Sequence, residues 1–108
     1  MKSFILKNQS DIDNLIKLSK NSLVVLDFTA SWCGPCKITS KVIDSLPSEY
    51  DNSVCITKID VDDFASIAGK FEISAMPTLI FIKGGVIKER FTGAPNKEKL
   101  TNLINKYV

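Results

Sequence analysis

The run Leu23-Val24-Val25-Leu26, carried on by Phe28, is apolar at every one of those positions, with no alternate polar residues to mark a solvent face. A strand apolar on both faces sits in the middle of a sheet that is covered on both sides. That calls for helices above and below, and the downstream sequence supplies one. After Pro35 the spacing predicts a helix with Ile38, Val42, Ile43 and Leu46 turned inward. Val54 to Ile59 reads as a second strand, and Phe64, Ile67 and Ala68 as a short helix ending at Gly69.

Before the run, Ser10-Asp11 is placed to cap a first helix whose apolar stripe is Ile12, Leu15 and Ile16, and Phe4 to Leu6 reads as an edge strand. Further on, Thr78 to Ile82 is a strand, Lys83-Gly84-Gly85 a hairpin turn, and Val86 to Phe91 the returning strand. Gly93, Pro95 and Asn96 break the chain and cap a last helix that buries Leu100, Leu103 and Ile104. The order β-α-β-α-β-α-β-β-α describes an α/β three-layer sandwich. Its mixed sheet joins a parallel β-α-β half to an antiparallel hairpin. At 108 residues, with ordinary shares of apolar (44%) and charged (24%) residues, residues 1–108 are expected to form a single domain.

Several function classes drop out on composition. A net charge of +2 is too small an imbalance to argue for nucleic acid or an anionic membrane as partner. Three cysteines are too few, and odd in number, for a secreted disulfide scaffold, so a reducing compartment is expected. There is no histidine, which removes Ser-His, Cys-His and His-metal sites. The apolar patch Phe4 to Leu6 is too short for a signal peptide, and no run approaches the roughly 18 residues of a membrane helix. The expectation is a soluble cytoplasmic protein.

The chemistry is concentrated in Trp32-Cys33-Gly34-Pro35-Cys36-Lys37, between the central strand and a helix. Proline is tolerated in the first turn of a helix, so Cys33 is expected at the helix N-terminus. Unpaired N–H groups and the positive end of the helix dipole favour a thiolate there. Cys36, three residues on, comes round to the same face, within disulfide reach. A zinc reading fails on ligand count: about four are needed, and Cys55 sits in a strand with no histidine to complete a set.

WCGPCK resembles the thioredoxin family. Asp27-Phe28, Lys58 with Asp60, Met76-Pro77-Thr78 and Gly93-Ala94 match it in order, so the resemblance covers essentially the whole chain. It implies the thioredoxin fold and reduction of protein disulfides through Cys33 and Cys36. No cofactor would be bound. A reversible Cys33–Cys36 disulfide would carry the electrons, with a thioredoxin reductase using NADPH to recycle it. The partners implied are that reductase and disulfide-containing clients such as peroxiredoxins or ribonucleotide reductase, met by a monomer. The resemblance also implies that Gly34, Pro35 and Lys58 tune the redox potential. Trp32, Ala75, Met76, Pro77, Gly93 and Ala94 would contact substrate, with the bond before Pro77 cis. Asp27 would serve Cys36 as acid and base through a water.

The residues themselves support part of this. Asp27 either extends the buried strand, where a carboxylate titrates closer to neutrality than a solvated one, or is a strand-end acid turned to solvent, and the apolar run before it favours the first. Lys58, one strand over, either offers its charge to Asp27 or is a plain surface lysine. Trp32 is either an apolar platform beside an exposed Cys33 or a core residue. Cys55 is expected as core filler, with a regulatory thiol as the lesser alternative. Thr29 stands where most family members carry an aromatic residue, and Lys41 where most carry a helix-kinking proline. Lys37 and Lys41 put two positive charges on one helical face, suiting an acidic partner or simply solvent. An oxidant or isomerase of a secretory compartment and a redox-independent binding module remain as alternatives to the reductase.

Overall fold

The computed structural model describes residues 2–3, 6–47, 50 and 52–108. Along the chain run β1 (Lys2–Ser3), α1 (Asp11–Leu18), β2 (Leu23–Thr29), α2 (Gly34–Asp44), β3 (Val54–Asp60), α3 (Ala65–Lys70), β4 (Thr78–Lys83), β5 (Val86–Thr92) and α4 (Lys97–Tyr107). The strands form one sheet in the order β1-β3-β2-β4-β5. β2 is central, as its apolar run requires: it pairs in parallel with β3 and antiparallel with β4, and Leu23 to Phe28 are all buried.

Alternation along β2 sorts its side chains into two layers. Val24, Leu26 and Phe28 join Leu15 of α1 and Ile67 of α3. Leu23 and Val25 join Ile43 of α2 and Leu100, Leu103 and Ile104 of α4. Asp27 therefore points to the α2/α4 side. The β4–β5 hairpin turns on Gly84 (φ 64°) and Gly85 (φ 77°), both in the left-handed region that a two-residue type I′ loop demands. Their N–H groups donate to the carbonyl and hydroxyl of buried Ser19, fastening the turn to the end of α1.

Four local expectations need correction. Position 10 makes no side-chain cap; instead the Asp11 carboxylate accepts from the Lys7 and Asn8 N–H groups ahead of α1. The edge strand is described at Lys2–Ser3; of the expected segment, residues 4 and 5 lie outside the described residues and Leu6 is buried beyond the strand. α3 runs one residue past Gly69. The left-handed residue that closes it is Glu72 (φ 55°), where Ile73 N–H reaches the Ala68 carbonyl in a Schellman-type ending. In α2 the buried stripe is Cys36, Thr39 and Ile43, with Val42 half-buried and Ile38 58% exposed, while Leu46, also half-buried, lies beyond the helix end. No helix among the described residues is long and apolar enough to cross a membrane.

Candidate active site

The chain leaves β2 at the sheet's end and enters α2 through a short turn in which Cys33 N–H donates to the Ala30 carbonyl (3.1 Å). Cys33 is the N-cap of α2, with extended backbone (φ −91°, ψ 112°). Pro35 in the first turn has no N–H to leave unpaired. The Cys36 N–H donates to Cys33 Sγ at 3.2 Å, so a sulfur occupies the acceptor position that a serine or aspartate oxygen fills at other helix starts. A donated hydrogen bond and the helix dipole both stabilise negative charge on that sulfur. Cys33 and Cys36 are joined as a disulfide with Cα atoms 5.3 Å apart. Ala30, Val61 and Met76 pack around the pair.

Neither cysteine is prominent at the surface: Cys33 is 5% exposed and Cys36 4%. The expectation of an exposed Cys33 is thus corrected, since in the disulfide it is tucked beneath its neighbours. Trp32 is the exposed residue, at 67%, which removes its core reading. Its indole N–H donates to Asp62 Oδ2 at 3.0 Å. The Met76–Pro77 bond is cis, and the Met76 carbonyl oxygen lies 3.8 Å from Cys33 Sγ. The Ala75 carbonyl accepts from the Thr78 hydroxyl, and Pro77 O accepts from Gly93 N–H at 2.9 Å. Gly93 has φ 106°, a conformation that other residues rarely adopt. The loop holding Ala75, Met76 and Pro77 thus meets Gly93, with Ala94 exposed next to it.

Asp27 lies one layer below, 1% exposed, in register with Lys58 of β3 and Leu79 of β4. Its Oδ1 has no hydrogen-bond partner among the described residues. Burial raises the carboxyl from 3.8 to about 6, against a smaller lowering by the Lys58 charge. Lys58 is exposed, and its Nζ donates to the Ser40 hydroxyl of α2, so the surface position and the influence on Asp27 coexist. A cavity of about 220 Å³ opens beside Cys36, lined by Thr29, Ser31, Lys37, Ser40 and Asp60 among others. Among the described residues no cluster of cysteine or acidic side chains is placed to hold a metal ion.

Asp62, Ser40 and Val61 were not singled out in the sequence. Only Asp62 had a usable signal: a surface tryptophan has an N–H to satisfy, and the acidic stretch after β3 supplies an acceptor. Cys55 is buried on the opposite side of the sheet with Leu26 and Ile59, away from the dithiol.

Comparison with known proteins converges on one family. The family pattern described as Thioredoxin matches residues 4–106. Thioredoxin-T from Drosophila melanogaster is 41% identical over 102 residues, covering 94% of this chain; the chain spans 64% of that relative's length. Thioredoxin from Staphylococcus saprophyticus is 39% identical, with 92% of each chain covered. The X-ray structure of Fasciola hepatica thioredoxin superposes over the whole of both chains with a TM-score of 0.85 at 36% identity. These matches run through the strand–helix junction that carries the disulfide, and the chain belongs to the thioredoxin family of dithiol–disulfide oxidoreductases.

Proposed function

We propose that residues 1–108 act as one domain, a monomeric protein-disulfide reductase and electron carrier. Cys33 is the nucleophile: its thiolate attacks a client disulfide, forms a mixed disulfide and expels the other client sulfur as a thiolate. Cys36, losing its proton, attacks Cys33 Sγ. That closes the Cys33–Cys36 disulfide and releases the second client thiol, so two electrons pass to the client. Asp27 takes the Cys36 proton through a water; a carboxyl near 6 is a serviceable base at neutral pH. Gly34, Pro35 and Lys58 set the potential, and Trp32, Ala75, Met76, Pro77, Gly93 and Ala94 form the client contact surface. A thioredoxin reductase returns the protein to the dithiol using NADPH, and peroxiredoxins or ribonucleotide reductase are clients of the right kind. The cytoplasm, where thiols are kept reduced, is the compartment this cycle suits.

The observation that carries the reading is the asymmetry at the start of α2. Cys33 is the N-cap and receives the Cys36 N–H, whereas Cys36 lies inside the first turn. The two cysteines are almost equally exposed and burial favours neither; position on the helix supports Cys33 as the attacker and Cys36 as the resolver.

Insulin disulfide reduction with two variants tests it. Cys33→Ser should lose turnover and form no mixed disulfides; Cys36→Ser should lose turnover and accumulate them. If Cys33→Ser traps clients as well as Cys36→Ser does, the assignment of attacker and resolver is wrong. A reduction potential near about −270 mV, the value known for thioredoxin, supports the reductase direction, and one near about −180 mV points to an isomerase.

A further inference from the structure

The register that buries Cys36, Thr39 and Ile43 turns Gly34, Lys37, Ile38 and Lys41 to the opposite side of α2. Ile38 is 58% exposed there. One exposed isoleucine means little by itself, but its neighbours give it a setting. Lys37 and Lys41 are exposed, one helical turn apart, and neither has an ion-pair partner among the described residues. Like charges four apart on a helix oppose each other. Asp44, exposed three residues beyond Lys41, pairs with neither. Two carboxylates at the end of β3 are already engaged within the chain: Asp62 accepts from Trp32, and Asp60 accepts from the Asp62 N–H at 2.8 Å.

A client disulfide must come within bonding distance of Cys33 Sγ at the N-cap of α2, which puts the first turns of α2 within reach of the chain flanking it. Lys37 and Ile38 are within two residues of Cys36, and Lys41 lies about 8 Å along the helix axis from Cys36. We infer that the Lys37–Ile38–Lys41 face docks a client segment carrying an apolar residue flanked by carboxylates beside its disulfide. Ile38 gives the contact an apolar centre, and the two lysines form a charged rim that speeds encounter. α2 runs unbroken from Gly34 to Asp44, so Lys41 follows Lys37 one turn along the same helix face. The inference rests on the reductase reading and adds a preference among its clients.

The test uses two synthetic peptides, each with one intramolecular disulfide and one flanking leucine, one bearing aspartates and the other lysines. kcat/KM is measured for the wild type and for the Lys37→Glu/Lys41→Glu variant, at about 20 mM and about 500 mM salt. In the wild type the acidic peptide should be favoured on the order of tenfold at low salt, with the ratio falling towards one at high salt. Charge reversal should invert that ratio. A ratio is unaffected by any general loss of active protein in the variant. Ile38→Ser should lower kcat/KM for the acidic peptide severalfold at both salt concentrations. A wild-type ratio near one, a ratio untouched by charge reversal, or an Ile38→Ser variant as fast as wild type would overturn the docking surface while leaving the reductase intact. A wild type that reduces neither peptide would instead remove the reductase reading and the inference with it.

Discussion

Asp27→Asn offers a sharp test of the buried carboxylate, because it keeps the side chain's shape and removes its charge. In the folded chain the carboxyl titrates at about 6, against 3.8 in the absence of burial, with desolvation the larger cause and the Lys58 charge acting the other way. The folded state therefore binds the proton more tightly than the unfolded state, and ionisation costs stability. That cost is absent below pH 3.8, grows between 3.8 and about 6, and is complete above. At about 1.4 kcal/mol for each tenfold change in the ionisation constant, the ionised carboxylate costs about 3 kcal/mol at pH 7. Residue 27 is 1% exposed, so solvent screening takes little away. The amide has no such charge, so Asp27→Asn should be more stable than wild type by an amount that increases with pH. Denaturant midpoints at pH 4 and pH 7 for both proteins measure this as a difference of differences, which cancels any fixed packing effect of the amide. The advantage should grow by about 2 kcal/mol across that interval. An advantage that stays constant, or shrinks, would show that the carboxyl is not held up by burial.

The same variant should slow resolution of the mixed disulfide in single-turnover kinetics more than the first attack by Cys33, and the defect should shrink as pH rises and solvent base takes over; wild-type resolution at pH 7 would reduce Asp27 to a structural role. Trp32→Ala should raise KM for protein clients severalfold with little change in potential, since it removes exposed contact area and leaves the helix start as it is; unchanged rates with protein substrates would deny the docking role. Cys55→Ser should keep near-normal turnover and lose about 1–3 kcal/mol of stability, because it puts a hydroxyl into the apolar layer of Leu26 and Ile59. A large fall in turnover with the fold intact would give Cys55 a redox role.

What could be read in the chain beforehand was whatever local chemistry determines. The continuous run in β2 specified a covered central strand, Lys83-Gly84-Gly85 specified a hairpin turn, and Asn96 caps α4 by accepting from Lys99 N–H at 2.8 Å. The α2 start was legible for the same reason, since proline and a cap position are properties of a few consecutive residues. Ile38 was misplaced because helix register is decided by what the helix lies on. Once Cys36 and Ile43 face the sheet, residue 38 is carried to the outside whatever its polarity. Glu72 took the left-handed position expected of Gly69 because the Ile73 packing against the α3 layer sets where that helix can end. The partners of site residues were the least legible of all. Asp62 is 30 residues from Trp32 and Ser40 is 18 from Lys58, separations that only the tertiary fold closes.

The register of β2 also explains why a carboxylate interrupts an otherwise apolar strand at residue 27. Leu23 and Val25 face the α2/α4 layer, and Asp27 follows them by the two-residue period, whereas residues 26 and 28 face α1 and α3. Cys36 shares the inward stripe of α2 with Ile43, which packs in that same α2/α4 layer. Of the two faces open to a charged residue on this strand, only one looks towards the helix that carries the dithiol, and the carboxylate is on it. A one-residue displacement would bury an acid of the same cost among Leu15 and Ile67, on the far side of the sheet from the dithiol. About 3 kcal/mol is a substantial share of the 5–15 kcal/mol by which folded domains are stable. The strand tolerates it because Leu23 to Phe28 are buried between two paired neighbours, and Lys58, in register on β3, limits it. Position, burial and proton affinity at residue 27 therefore follow from a single choice of register, the one that turns an ionisable group towards the helix carrying Cys36.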